Sequence, residues 1–153
     1  MELLAPAGNK ESLIAAINSG ADAIYLSGKK FGARAFASNF SNEELKEAIR
    51  IGKIYGVKIY VTMNTLVKEN EVEEFLDQVE FLYVNGVDAI LMQDFGMICL
   101  CLKKFPNLEI HASTQAHNVS REGIDFLYKL GVKRVVLPRE MSLEEIKHIE
   151  TPG

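Results

Sequence analysis

The sequence predicts an α/β fold with parallel strands: a TIM-like (β/α) barrel, incomplete, with about six β/α units present in a single partial domain over residues 1–153. Three observations carry this expectation. Helix-like and strand-like segments alternate strictly along the chain, the pattern of a parallel sheet with crossover helices. One phrase, a helix end followed by glycine and a short buried strand, occurs at Gly20, Gly56, Gly86 and Gly131. Glycine suits that place because a helix often ends at positive φ, which costs little without a Cβ. Finally, polar residues follow each strand, whereas the helix-to-strand junctions carry mainly glycine with small or apolar residues.

In chain order, the first strand is expected at residues 2–5, ending in the turn-forming Pro6-Ala7-Gly8-Asn9. Leu13, Ile14 and Ile17 share one face of the first helix. Residues 23–26 read as the second strand, and residues 27–40 as a long loop holding Arg34. Ser41 and Glu44 form a capping box for the second helix, whose stripe is Leu45, Ala48, Ile49 and Gly52. In the third strand, residues 57–63, Val57, Ile59, Val61 and Met63 face the helices and Lys58, Tyr60, Thr62 and Asn64 face inward. The third helix is expected from Asn70 with Glu73 as its capping partner, and residues 88–92 form the fourth strand.

A fourth helix spans residues 95–104 and stops at Pro106. The fifth strand, residues 109–112, leads into Ser113-Thr114-Gln115. The fifth helix, residues 120–130, is expected to bury Ile124, Leu127 and Tyr128. After a sixth strand at residues 134–137, a second serine box, Ser142 with Glu145, opens a helix burying Leu143, Ile146 and Ile149. A doubly wound sheet would also alternate in this way, but Pro6-Ala7-Gly8-Asn9 is not the glycine fingerprint of a dinucleotide site.

Composition narrows the function classes. Hydrophobic residues make up 48% and charged residues 25%, with a net charge of −4, an ordinary globular balance without a bulk electrostatic grip on nucleic acid. No stretch is apolar for long enough to span a bilayer, and the two cysteines point to a reducing compartment, so the expected location is the cytoplasm, with no membrane partner.

Ligands bind at the carboxyl ends of strands in parallel α/β folds. Asn9, Arg34, Asn64, Asp94, Ser113, Gln115 and Arg139 stand at or just beyond those ends and are the candidate substrate-binding residues. His111 and Glu140 are the candidate acid–base residues. His111 shares the inward face with Ser113, and a hydrogen-bonded core histidine accounts for it equally well. Cys99 and Cys101, two apart on a helix, point to different faces and read as core residues, so no metal site is expected.

These motifs together resemble the U32 peptidases, the collagenase-like proteases. The resemblance rests on Leu4-Ala5-Pro6-Ala7-Gly8-Asn9, Gly20-Ala21-Asp22-Ala23-Ile24-Tyr25-Leu26, Phe31-Gly32-Ala33-Arg34 and Asn39-Phe40. It continues through Gly86-Val87-Asp88-Ala89, His111-Ala112-Ser113-Thr114-Gln115 and Arg134-Val135-Val136-Leu137-Pro138-Arg139-Glu140. Ser27 departs from it, standing where the family often has glycine.

The resemblance implies a TIM-like barrel and a peptidase acting on proteins such as collagen. As the alternative, it implies a hydroxylation factor for tRNA, rRNA or a ubiquinone precursor. That second role depends on an iron–sulfur cluster held by a downstream cysteine set, which Cys99 and Cys101 do not match. Family members are longer, so the chain reads as the N-terminal part of a longer protein. No cofactor is expected in this part. The expected partners are a peptide substrate or RNA, and a second copy pairing through the open barrel edges. A non-catalytic binding domain is the third reading.

Overall fold

The computed structural model describes residues 1–33 and 39–149. Among them, six strands form one parallel sheet in the order β1-β2-β3-β4-β5-β6. These are β1 (Leu4–Pro6), β2 (Ala23–Ser27), β3 (Lys58–Met63), β4 (Ala89–Met92), β5 (Ile110–Ala112) and β6 (Arg134–Val135). Six helices alternate with them: α1 (Lys10–Asn18), α2 (Asn42–Tyr55), α3 (Val72–Val84), α4 (Phe95–Lys104), α5 (Arg121–Leu130) and α6 (Leu143–Lys147). Each strand pairs with its successor, so the order never reverses as it would in a doubly wound sheet. The sheet curls into a half-barrel with its helices outside.

The two faces of the sheet separate cleanly. Ile24, Leu26, Ile59, Val61, Met63, Ile90, Met92, Ile110 and Ala112 face outward, in one core with Leu13, Leu45, Ile49, Phe75, Val79, Leu82, Ile98 and Leu127 from the helices. The inner face holds a second buried cluster of Ala23, Tyr60, Ala89 and Leu91, with Leu4, Tyr25 and Val136 packed on it. All four repeated glycines lie at positive φ, from 68° at Gly56 to 112° at Gly131. That is the conformation in which the chain leaves a helix and turns into the next strand.

Several element boundaries differ from expectation. β1 begins two residues late, because Glu2 lies before the ladder and uses its side chain elsewhere. The third helix is led in by a 3₁₀ turn, Glu69–Glu71, so Glu71 rather than Glu73 accepts the N–H at the entry, from Lys68 at 2.9 Å. β6 pairs over two residues only. Tyr128 is 56% exposed and Leu143 77% exposed, not buried. Leu143 opens a helix of only five residues, with too little length to carry an apolar stripe. The long loop after β2 is pinned at its base, where Phe40 N–H donates to the Ser27 carbonyl at 2.9 Å and Lys29 N–H to the Phe40 carbonyl at 3.2 Å.

Candidate functional site

The carboxyl ends of β2 to β5 are tied together by Asn64. Its Oδ1 accepts the Ala33 N–H at 3.1 Å, and its Nδ2 donates to Ser113 Oγ at 3.3 Å. Ala33 N–H can only donate, so the carboxamide must turn its oxygen to the loop and its nitrogen to β5. Ser113 is 3% exposed and also accepts the Gln115 N–H at 3.3 Å, capping the 3₁₀ turn Thr114–Ala116. Asp94 caps α4 by accepting the Met97 N–H at 3.1 Å, and its other oxygen accepts the Val67 N–H at 3.2 Å. Thr65 Oγ1 donates to the Phe31 carbonyl at 3.2 Å.

Two non-glycine residues among those described have positive φ, Phe31 at 61° and His117 at 50°, and both lie in loops at this end. A bulky residue in that region is strained unless its surroundings hold it. Phe31 is held by an edge contact with Phe75, ring centroids 5.1 Å apart. Asn64, Ser113 and Asp94 thus gather with strained backbone beside them, as a set of neutral donors and acceptors with one carboxylate.

The other expected site residues are placed differently. Asn9 caps α1, accepting the Ser12 N–H at 2.8 Å. Gln115 is exposed in the middle of the Thr114–Ala116 turn. Arg139 and Glu140 are exposed in the turn after β6 and make no contact with Asn64 or Ser113 among the described residues. Arg34 lies outside the described residues.

His111 is buried, but its contacts lie toward the amino ends of the strands. Its Nε2 meets Glu109 Oε1 at 2.7 Å, and its ring stands edge-on to Tyr60, centroids 4.8 Å apart at 76°. Tyr60 Oη donates to Glu2 Oε2 at 3.0 Å. Arg134 donates to both oxygens of Glu2, at 2.5 and 3.4 Å, and its guanidinium lies 5.5 Å from the Tyr60 ring centre. Lys58 Nζ is 3.9 Å from Glu2.

The electrostatics follow from this packing. The Arg134 hydrogen bond holds the Glu2 carboxyl below its usual range, and Glu2 in turn raises Arg134. Burial pushes Tyr60 up to about 12, so its hydroxyl remains a donor. Burial also lowers His111, outweighing Glu109, which pulls the other way. A neutral His111 therefore donates its Nε2 proton to Glu109.

Among the described residues, no serine or cysteine is hydrogen-bonded to a histidine, and Ser113 has Asn64 as its side-chain partner instead. Cys101 is fully buried, which pushes its thiol up to about 12. With Cys99 two residues away on the same helix, it does not fit an iron–sulfur ligand set, which needs several thiolates facing one point. No group of three metal-ligating side chains occurs among the described residues. An open groove of about 770 Å³ lies at the amino ends, lined by Glu2, Asp22, Tyr55 and Lys58 among others.

Sequence reasoning placed Tyr60 on the inner face through the alternation of β3. It missed Glu2, Glu109 and Arg134 as its companions. Glu2 and Arg134 lie 132 residues apart, and no local pattern links them.

A tRNA hydroxylation protein of Bacillus subtilis is 39% identical over 97% of this chain. A 23S rRNA 5-hydroxycytidine synthase of Escherichia coli is 40% identical over the same share, and a collagenase of Porphyromonas gingivalis is 31% identical. The chain spans 35%, 22% and 35% of the length of these three relatives. The solved structure of a U32 peptidase superposes with a TM-score of 0.80 at 15% identity, covering 97% of this chain and 64% of that one, which shows a shared fold. The sequence profile of peptidase family U32 matches residues 8–152, and the chain belongs to that family.

Proposed function

We propose that this chain supplies the substrate-holding half-barrel of an RNA hydroxylation protein, with Asn64, Ser113 and Asp94 contacting the substrate at the carboxyl ends of the strands. One observation carries the reading: Ser113 is bonded to the carboxamide of Asn64, while His111 is turned away onto Glu109. A serine acts as a nucleophile when a base takes its proton, and here its partner is an amide donor. A set of uncharged donors and acceptors with a single carboxylate suits the edge of a nucleobase better than a scissile peptide. The relatives named for tRNA and rRNA hydroxylation point in the same direction.

In this proposal the oxidative step, including any iron–sulfur cluster, belongs to protein beyond these residues, since Cys99 and Cys101 do not fit one. Arg34, Arg139 and Gln115 would extend the contact to the RNA backbone. The setting would be the cytoplasm, where such RNA is found. No helix among the described residues is long and apolar enough to cross a membrane. The unpaired edges of β1 and β6 would pair with further strands or with a second copy.

The test is nucleoside mass spectrometry of RNA from cells lacking the parent gene. Loss of a hydroxylated base is expected, with recovery on expressing the wild-type parent. Asn64→Ala in the parent should fail to restore it, a drop of about tenfold or more, as for loss of one substrate-orienting hydrogen bond. An unchanged nucleoside profile in the deletion strain would exclude the hydroxylation reading.

The peptidase reading has its own support in the family description and in the collagenase-named relative. Gelatin cleavage by the purified parent, abolished by Glu140→Gln, would favour it.

A further inference from the structure

β3 and β5 are not neighbours, since β4 lies between them. At the usual strand spacing they stand about 10 Å apart. Two side-chain contacts nevertheless bridge them on the inner face. One is the Asn64–Ser113 hydrogen bond at the carboxyl end, and the other is the edge-on contact of Tyr60 with His111. Tyr60 lies four residues before Asn64 and His111 two residues before Ser113, roughly 13 and 7 Å along their strands. The two contacts are crossbars on the same pair of strands.

Beneath the lower crossbar β4 carries one small and one large inward residue, Ala89 and Leu91, the latter the register partner of His111. Ala89 is the register partner of Tyr60, is fully buried, and belongs to the same inner cluster. A larger side chain there would occupy the space through which the rings meet. Both rings are fixed at their far ends, Tyr60 by Glu2 and by the Arg134 guanidinium near its ring, and His111 by Glu109. The upper crossbar is held locally, Asn64 by the Ala33 N–H and Ser113 by the Gln115 N–H. Its neutral hydrogen bond of 3.3 Å at the end of a strand is a weak restraint on two elements joined only through a third.

The geometry points to Tyr60 and His111 as positioning residues that set the β3–β5 spacing at which Asn64 and Ser113 meet. Among the described residues, the side-chain hydrogen bonds of Tyr60 and His111 go to Glu2 and Glu109, away from the carboxyl end. They act through their strands, and the charged groups around them (Glu2, Lys58, Glu109 and Arg134) hold the rings in place. This rests on reading the carboxyl end as the site. Its test uses no substrate, so it can fail while the Asn64→Ala result stands, and the reverse.

The experiment is NMR of the isotope-labelled chain, following the cross-peak between the Asn64 side-chain amide protons and the Ser113 side chain. Tyr60→Leu, which removes the ring edge, should abolish the cross-peak. His111→Phe, which keeps an aromatic edge, should retain it. Val61→Ala, on the helix-facing side of β3, should lower stability and leave the cross-peak in place. If Tyr60→Leu does not fold, His111→Ala removes the other ring and carries the same expectation. Survival of the cross-peak in the ring-removing variant, or its loss in Val61→Ala or His111→Phe, overturns the proposal.

Discussion

His111 shows how much a single side chain depends on which way it leans. Buried and next to Glu109, it is held neutral chiefly by desolvation. Its folded-state pKa lies below the unfolded value near 6.5, so in the window beneath that value the unfolded chain takes up a proton that the folded chain refuses. Stability should therefore fall as pH drops below about 6.5. Urea midpoints at pH 7.5 and 5.5 would show the decrease, and His111→Phe should flatten it between about pH 6.5 and 5.5, above the range where most carboxylates titrate. A slope unchanged by the substitution would mean another group is responsible. The alternation of β5 made the inward face of His111 legible, because side-chain period in a strand is fixed. It could not tell which end of the barrel the ring serves. That depends on Glu109, two residues back on the same face, and on Tyr60 across β4, a contact set by curvature rather than by sequence spacing. Asn64 and Ser113 were legible for the opposite reason, since a strand's carboxyl end is marked locally in the chain.

At the scale of elements, α2 and α4 fall at or within a residue of their expected bounds, whereas the entry to α3 and the buried faces of α5 and α6 differ from expectation. α2 is bounded by the Ser41–Glu44 capping box and by Gly56 at φ 68°, both visible as residue types. The entry to α3 was misplaced because a 3₁₀ turn moves the capping contact forward, and residue types alone do not distinguish Glu71 from Glu73. The exposure of Tyr128 and Leu143 depends on what lies over α5 and α6, which periodicity cannot supply. α2 approaches β3 closely at Gly52. A Cβ there would stand 2.5 Å from Ile59 Cγ1 and 2.6 Å from the Val57 carbonyl, and the carbonyl is backbone that cannot swing aside. Gly52→Ala would ordinarily gain about 1 kcal/mol from helix propensity. Overpacking should outweigh that gain, for a net loss of about 1–3 kcal/mol. Chemical denaturation would measure it, and a variant as stable as wild type would show that α2 can shift away from β3 at little cost.

For the molecule as a whole, the central fact is that residues at the two ends of the sheet meet. Glu2 precedes β1, Arg134 lies on β6, and the four strands between them curl far enough for a two-pronged ion pair to close across the inner face. The ladder alone does not impose this, because parallel strands in sequential order could also form a flatter twisted sheet. Beside the bridge, Tyr60 stands between Tyr25 on β2 and the small Ala89 on β4, and its hydroxyl joins the same carboxylate. The pair is not fully buried, with 24% of the Glu2 side chain and 36% of the Arg134 side chain exposed, so its strength falls between that of a surface contact and that of a buried pair. Arg134→Met and Glu2→Gln should each cost about 1–2 kcal/mol after allowance for that exposure. If they act through one contact, the double variant should cost clearly less than the sum, with a coupling of about 1 kcal/mol in a double-mutant cycle. The contribution of Glu2 also has a pH signature: its carboxyl is lowered in the folded state, so its stabilisation is present above the unfolded pKa of about 4.5 and is lost as pH falls through the folded value. The coupling energy should accordingly persist at pH 7 and fade in acid, whereas additive costs at pH 7 would mean that the curl is set by packing of the inner cluster and not by the charges that close it.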